Sequence, residues 1–421
     1  MPKKTIIIFV SVFIAVGAII YGAYYFFAGS GSKSGTTTGT GSGYQQFNTL
    51  GGSKGTTGGG TTGGGNTGGG KGGGTTGGGE VVASKFHKLT DFPIAGATFF
   101  YDTRNIPQVE GVKPDPTKPK FEIVPSLRYV ERVTGHIDEL YLDTKVVGEI
   151  SNSTIPNIYE SMFDSKASTV IYRYLSSDNS ISSFIATLGG TKGDFLPSNI
   201  VDLSLSPDKT KFFYLIKGAS GINGTIQNFT DGKKNPLFSS SYDEWLSQWV
   251  NAGSIFLTTK ASGGENGYLY SLNTSNGSLK KIFGPVMGLT TNSNNGGTVV
   301  LYSNSFSGGV SLGLFDVTSH KTSDLGVSSL PEKCVWSTDN TSVYCAIPDS
   351  LPIGQYPDSW YQGLVSFSDH FIKINTKTSE VINLGTPNES IDATHMFTDD
   401  KEIALFFTNK KDSTLWSLDL K

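Results

Sequence analysis

The feature that most constrains this chain is a unit that returns about every 43 residues. Each unit has an apolar stretch, a short polar turn and then a strand: SMFDSKASTVIYRY (161–174), LSLSPDKTKFFYLI (203–216), SQWVNAGSIFLTT (247–259), TTNSNNGGTVVLYS (290–303), CVWSTDNTSVYCAI (334–347) and THMFTDDKEIALFF (394–407). The turns centre on Lys166, Asp208, Ala252, Asn295, Asp339 and Asp400, at successive spacings of 42, 44, 43, 44 and 61. Three residues earlier stand Phe163, Leu205, Trp249, Asn292, Trp336 and Phe397, of which only Asn292 is not large and apolar. A period of about 40–45 residues with several short strands per unit is that of a β-propeller blade.

Later strands recur as well. GYLYSLNTSNGSLKKIFG (267–284), SLGLFDVTSHKTSDLG (311–326) and HFIKINTKTSEVINLG (370–385) each read as strand, polar turn, strand, with turn residues suited to hairpins. A less regular unit precedes the six, built from GATFFYD (96–102), LRYVERVTG (127–135), HIDELYL (136–142) and KVVGEI (145–150). The last unit ends at STLWSLDLK without a fourth strand, and SKFHKL (84–89) is a spare strand ahead of the first. Pairing the two would close the ring and hide both edges. The expected fold is therefore all-β, a seven-bladed propeller over 81–421. Six or eight blades are the alternatives, because the first unit is weak.

Ahead of the propeller lie three segments. Residues 1–4 form a short tail with Lys3 and Lys4, and residues 5–27 carry no charge. At about 1.5 Å per residue those 23 can span a hydrocarbon core of roughly 30 Å. Tyr21, Tyr24 and Tyr25 stand at the far end, and the lysines at the near end place the N-terminus in the cytoplasm. A cleaved signal peptide would have a shorter apolar region and a small-residue site; under either reading the rest is exported. Residues 28–80, dominated by Gly and Thr, read as a flexible tether with a root-mean-square span of roughly 40 Å. No GxxxxGK[ST] occurs among the glycines, so they do not read as a phosphate loop.

Beyond residue 80 there are 28 basic and 35 acidic residues, a net charge of −7, which argues against a nucleic-acid partner. The two cysteines, Cys334 and Cys345, face each other if WSTDNTSV is a hairpin tip, at a separation that a disulfide can bridge. A structural disulfide is the expectation for an exported domain, and free thiols the alternative. The five histidines do not cluster, so no metal site is expected, and nothing calls for a cofactor.

The spacing of 61 marks an insertion of roughly 17 residues within PDSLPIGQYPDSWYQGLVSFSD (348–369), between the second and third strands of its blade. In a propeller that connection shares a face with the loops between blades. Pro348, Pro352 and Pro357 stiffen it, and Tyr356, Trp360 and Tyr361 are the amphipathic rings that binding hot spots use. These rings with Asp358 and Asp369 form the candidate binding site. The competing reading is that the rings plug the channel mouth or pack on the next blade. A second polar group, Arg128, Glu131, Arg132, His136, Asp138 and Glu139, reads as a solvated strand face with ion pairs. Asp208, Asp339 and Asp400 are explained by the repeat as turn residues. Neither GxSxG nor HExxH occurs, and no catalytic residue is assigned.

The LSLSPDKTKFFYLI unit resembles the WD40-like repeats of TolB-type and dipeptidyl-peptidase-type bacterial propellers, a likeness that implies fold rather than activity. RYVERVTGHIDEL (128–140), EISNSTIPNIYES (149–161), KCVWSTDNTSVYCAIP (333–348) and PDSWYQGLVSFSD (357–369) resemble an uncharacterised family of single-pass, membrane-anchored propellers from small-genome candidate-phyla bacteria, over most of 85–421. The resemblance implies architecture and location. Three functions then compete: a module binding an envelope protein or glycan, an enzyme acting on an envelope polysaccharide, and a structural subunit of an envelope complex. The enzyme would need two carboxylates about 5–9.5 Å apart, for which Asp358 and Asp369 are candidates.

Overall fold

Alternating strands with one apolar face must bury that face against a neighbour, and here each four-stranded sheet buries it against the next sheet in a ring. The computed structural model describes residues 84–106, 119–177, 180–190 and 193–421. The expected anchor (5–27) and the whole of the tether (28–80) lie outside the described residues. Among the described residues no helix is long and apolar enough to cross a membrane.

Seven antiparallel four-stranded sheets form seven blades. In chain order they occupy 94–151, 158–195, 200–240, 245–287, 291–324, 334–385 and 393–419, the last completed by the strand Phe86–Lys88. That strand pairs Phe86 with Leu418 and Lys88 with Trp416, so the two ends of the domain share one blade as the closure argument requires. The core is divided in the same way, with one apolar cluster at each of the seven blade interfaces. Cys334 and Cys345 are opposed across the first two strands of blade 6 and bonded, inside the cluster shared with blade 5.

The repeating turns join the first and second strands of each blade. Asp208 accepts from Ser206 Oγ (2.6 Å) and Thr210 N (3.1 Å). Asp339 does the same with Ser337 and Thr341, and these donors bring its carboxyl down to about 2. In blade 7 the neighbouring Asp399 takes the capping role, and Asp400 instead accepts the Tyr101 hydroxyl of blade 1 at 2.8 Å. Asn292 breaks the apolar pattern for a reason of its own. Its side chain donates to Cys334 O (2.8 Å) and its carbonyl accepts Trp336 Nε1 (3.1 Å), tying blade 5 to blade 6.

Blade 1 is irregular because its inner hairpin is long, with strands Ile94–Asn105 and Phe121–Glu131. Within it the expected solvated face is corrected. Arg128 and Glu139 are register partners, both buried, and they form an ion pair. Arg128 also donates to Ala167 O of blade 2 at 2.6 Å and lies 4.4 Å from the Phe100 ring centroid. Burial raises the Glu139 carboxyl, which Arg128 opposes. The pair is an interblade staple.

Candidate functional site

The insertion joins Ser342–Pro348 to Asp369–Asn375 in blade 6, as its position in the repeat predicts. It does not loop into solvent. A four-residue helix, Asp358–Tyr361, follows Pro357, and the chain returns through Leu364 N and Val365 N, which both donate to Ser359 O. Tyr356, Trp360 and Phe367 are buried with Val310 and Leu330, and the Trp360 and Phe367 rings stack at 6.2 Å.

The resulting strap is tied to blades 4, 5 and 7 as well as to its own. Gly263 N of blade 4 donates to Asp358 Oδ2 at 2.5 Å, and Ser305 Oγ of blade 5 to Tyr356 O at 2.6 Å. Lys410 Nζ of blade 7 donates to Trp360 O at 2.8 Å. Tyr361 donates its hydroxyl to Glu332, just ahead of blade 6, and Glu332 also accepts Thr290 Oγ1 at 3.0 Å. Glycine is required where the strap touches blade 4: a Cβ on Gly263 would stand 2.3 Å from Tyr356 O.

Beneath the strap lies a closed charge centre. Lys333 Nζ donates to Asp369 Oδ2 (2.8 Å), Asp392 Oδ1 (2.6 Å) and Ala393 O (3.0 Å), and none of the three charged side chains meets solvent. Trp360 and Phe367 cover the ammonium at 5.4 and 5.2 Å. Asp392 is also the strap's own anchor, accepting Trp360 Nε1 (3.0 Å), Phe367 N (3.1 Å) and Ser366 Oγ (3.2 Å). Two carboxylates share one cation here, and Asp369 Oδ1 is buried without a hydrogen-bond partner among the described residues. Burial pushes the Asp369 carboxyl up to about 6 against the pull of Lys333.

All five candidate residues therefore meet in one substructure. Tyr356, Trp360 and Asp369 lie in its buried base, and Asp358 and Tyr361 tie its flanks. Asp358 and Asp369 are held by different partners, a backbone N–H and a lysine. What the strap presents outward is Ile353, 97 % exposed, and Leu364, 73 % exposed. Beside it runs a groove of about 410 Å³ lined by Gly263, Gly264, Met287, Phe306, Gly308 and Gln355. Sequence reasoning missed Lys333, Glu332 and Asp392, which supply the strap's anchors. No local spacing links them to residue 360.

Seven radial four-stranded sheets closed through a shared blade define a seven-bladed β-propeller. No family model matches the chain, and no curated protein matches it in sequence. Among solved structures it is similar to oligogalacturonate lyase from Vibrio parahaemolyticus, at 10 % identity and a TM-score of 0.50 over 78 % of this chain and 99 % of that one. TolB from Acinetobacter baumannii matches at 12 % identity and a TM-score of 0.42, over 62 % of this chain and 61 % of TolB. Puromycin hydrolase matches at 13 % and 0.45, over 68 % of this chain and 48 % of that one. At such identities the likeness is one of fold.

Proposed function

We propose that the chain is a membrane-tethered, extracytoplasmic interaction module that binds an envelope protein or glycan with the strap face of its propeller. The carrying observation is the division of labour within the strap. Its aromatic and charged residues form an anchored base, so Ile353 and Leu364 stand on a platform with little ordering entropy left to lose on binding. Tyr356, Asp358, Trp360, Tyr361 and Asp369 set the shape of the site, and Ile353, Leu364, Gln355 and Phe306 make the contacts. Residues 5–27 and the lysines before them support the anchor and its direction, and the Cys334–Cys345 disulfide suits an oxidising compartment.

The test places a photo-cross-linkable residue at Ile353 in the full anchored chain, with Val147 on an outer strand as the exposed control. Irradiation of whole cells is expected to give a discrete adduct from position 353 that Leu364→Asp abolishes. Adducts no more frequent than those from position 147 would refute the strap face as the site. A tight complex of fixed stoichiometry in membrane extracts would identify the chain as a structural subunit instead.

A further inference from the structure

The turns between first and second strands also join neighbouring blades. In blades 5, 6 and 7 the capping residues are Asn294, Ser337 and Asp399. Three residues after each stands one in the left-handed region: Gly297 at φ 71°, Asn340 at 59° and Glu402 at 50°. From there Asn340 Oδ1 accepts Asn295 N of blade 5 at 3.1 Å. Glu402 accepts Thr338 N and the Tyr344 hydroxyl of blade 6, each at 2.6 Å. Lys373 lies 5.0 Å from the centroid of the same tyrosine ring. The corner between blades 6 and 7 thus holds a cation together with a carboxylate sent from the next blade. Blade 5 has only Gly297 to send towards blade 4, and a Cβ there would stand 2.9 Å from Val250 Cγ2, so no side chain takes that role.

In the matching corner between blades 4 and 5 lies a cleft of about 320 Å³. Strand register builds its wall. Phe256 pairs with Ser271 and Ser271 with Lys280. One step nearer the turns, Ser254 pairs with Asn273, whose N–H donates to Ser278 O at 2.9 Å. Alternation puts these six side chains on one face of the blade, with partners on adjacent strands about 4.5–5.5 Å apart. The same positions of blade 6 hold Tyr344, Lys373 and Ile382, then Ser342 and Asn375. Blade 4 therefore keeps the ring without its hydroxyl and carries the cation one strand further out. The strap joins the opposite ends of such strands, so this cleft opens on the other face of the propeller.

The cleft is rich in donors and has no carboxylate in its lining. Lys280 has neither an ion-pair nor a hydrogen-bond partner among the described residues, and the hydroxyls of Ser254, Ser271 and Ser278 are likewise unengaged there. Asn273 Oδ1 accepts Ser275 N at 2.8 Å and Asn276 N at 3.2 Å, which leaves the amide NH2 to donate. What the corner lacks is the carboxylate that Glu402 supplies between blades 6 and 7. The serines both donate and accept, as partners of hydroxyl groups must, and Phe256, Ile282 and Val317 give the cleft an apolar floor. We propose that the cleft between blades 4 and 5 binds a sugar acid, a single ring bearing one carboxylate. Lys280 and Ser271 receive the carboxylate, Ser254, Asn273 and Ser278 receive hydroxyls, and the C–H face of the ring rests on the floor. The volume lies at the small end of ligand pockets and suits one such unit. This site does not depend on the strap surface.

The experiment titrates the full chain in detergent micelles with D-glucuronate while following the Ile282 δ1-methyl resonance by NMR, identified by its loss in Ile282→Val. A saturable shift is expected, with an affinity of about millimolar for a ligand of monosaccharide size. D-glucose and acetate each keep one half of the chemistry, and N-acetylalanine sets a carboxylate on a peptide unit; all three should bind at least tenfold more weakly. Lys280 is exposed, so Lys280→Gln should leave the thermal midpoint unchanged while weakening glucuronate at least tenfold. Ser271→Ala should weaken it several-fold. No saturable shift with glucuronate, equal binding of glucose, acetate or N-acetylalanine, or unchanged affinity in Lys280→Gln would each overturn the proposal.

Discussion

At the scale of single residues, Lys333 and its two carboxylates show how a buried charge can hold a surface element in place. Burial raises the Asp369 carboxyl to about 6 against the pull of Lys333, and the second carboxylate, Asp392, adds to the rise. The folded-state value is raised, so this group's contribution to stability is fully present below about 4 and is lost as pH rises through about 6. A shift of that size corresponds to on the order of 2–3 kcal/mol. Asp369→Asn balances the charges, and the difference between variant and wild type in urea midpoint is expected to grow in the variant's favour from pH 4 to pH 7. A pH-independent difference would count against this account. Lys333→Met leaves two buried carboxylates facing each other without a cation and is expected to cost about 3–5 kcal/mol. The turn carboxylates act in the opposite sense: Asp339, held near 2, adds stability that is lost as the medium becomes strongly acidic.

At the scale of elements, the strap was partly legible. Its length and place followed from the spacing of 61 against a period of 43, and its prolines and rings marked it as structured. Which way the rings point was not legible, because the groups that receive them come from other blades: Glu332 and Lys333 by way of the chain ahead of blade 6, and Asp392 from blade 7. The Arg128–Glu139 pair eluded sequence reasoning for a related reason. Register places the two charges opposite each other on adjacent strands of one sheet face, but whether that face meets water depends on the adjacent blade. Close seating of the strap makes a further prediction. Gly263→Ala pushes a methyl group against Tyr356 O and should cost about 1–3 kcal/mol, with faster exchange confined to the strap. Wild-type stability in that variant would mean the strap is not seated on blade 4.

At the scale of the whole molecule, the ring was legible because a propeller repeats its solution. Six hairpins with a common turn set the blade length, and a missing last strand with a spare first one implied the closure. Blade 1 was faint because its hairpin replaces the short polar turn with longer strands. Closure is carried by few residues, chiefly Phe86, which is buried and stands 5.3 Å from the Phe371 ring centroid. Phe86→Ala is therefore expected to cost about 3 kcal/mol and to lower the midpoint of the single thermal transition of the whole domain. A loss confined to blade 7, with the other blades melting as before, would contradict a cooperative ring.

The account rests most heavily on a strap that is assembled before any partner arrives, and amide hydrogen exchange of the unliganded full chain measures this directly. Within 349–368 the amides of Trp360, Leu364, Val365 and Phe367 all have acceptors inside the protein. They are predicted to exchange as slowly as the inner strands of blade 6. Exchange at the rate of an unstructured loop would contradict a preformed platform, and with it the strap face as the proposed binding surface.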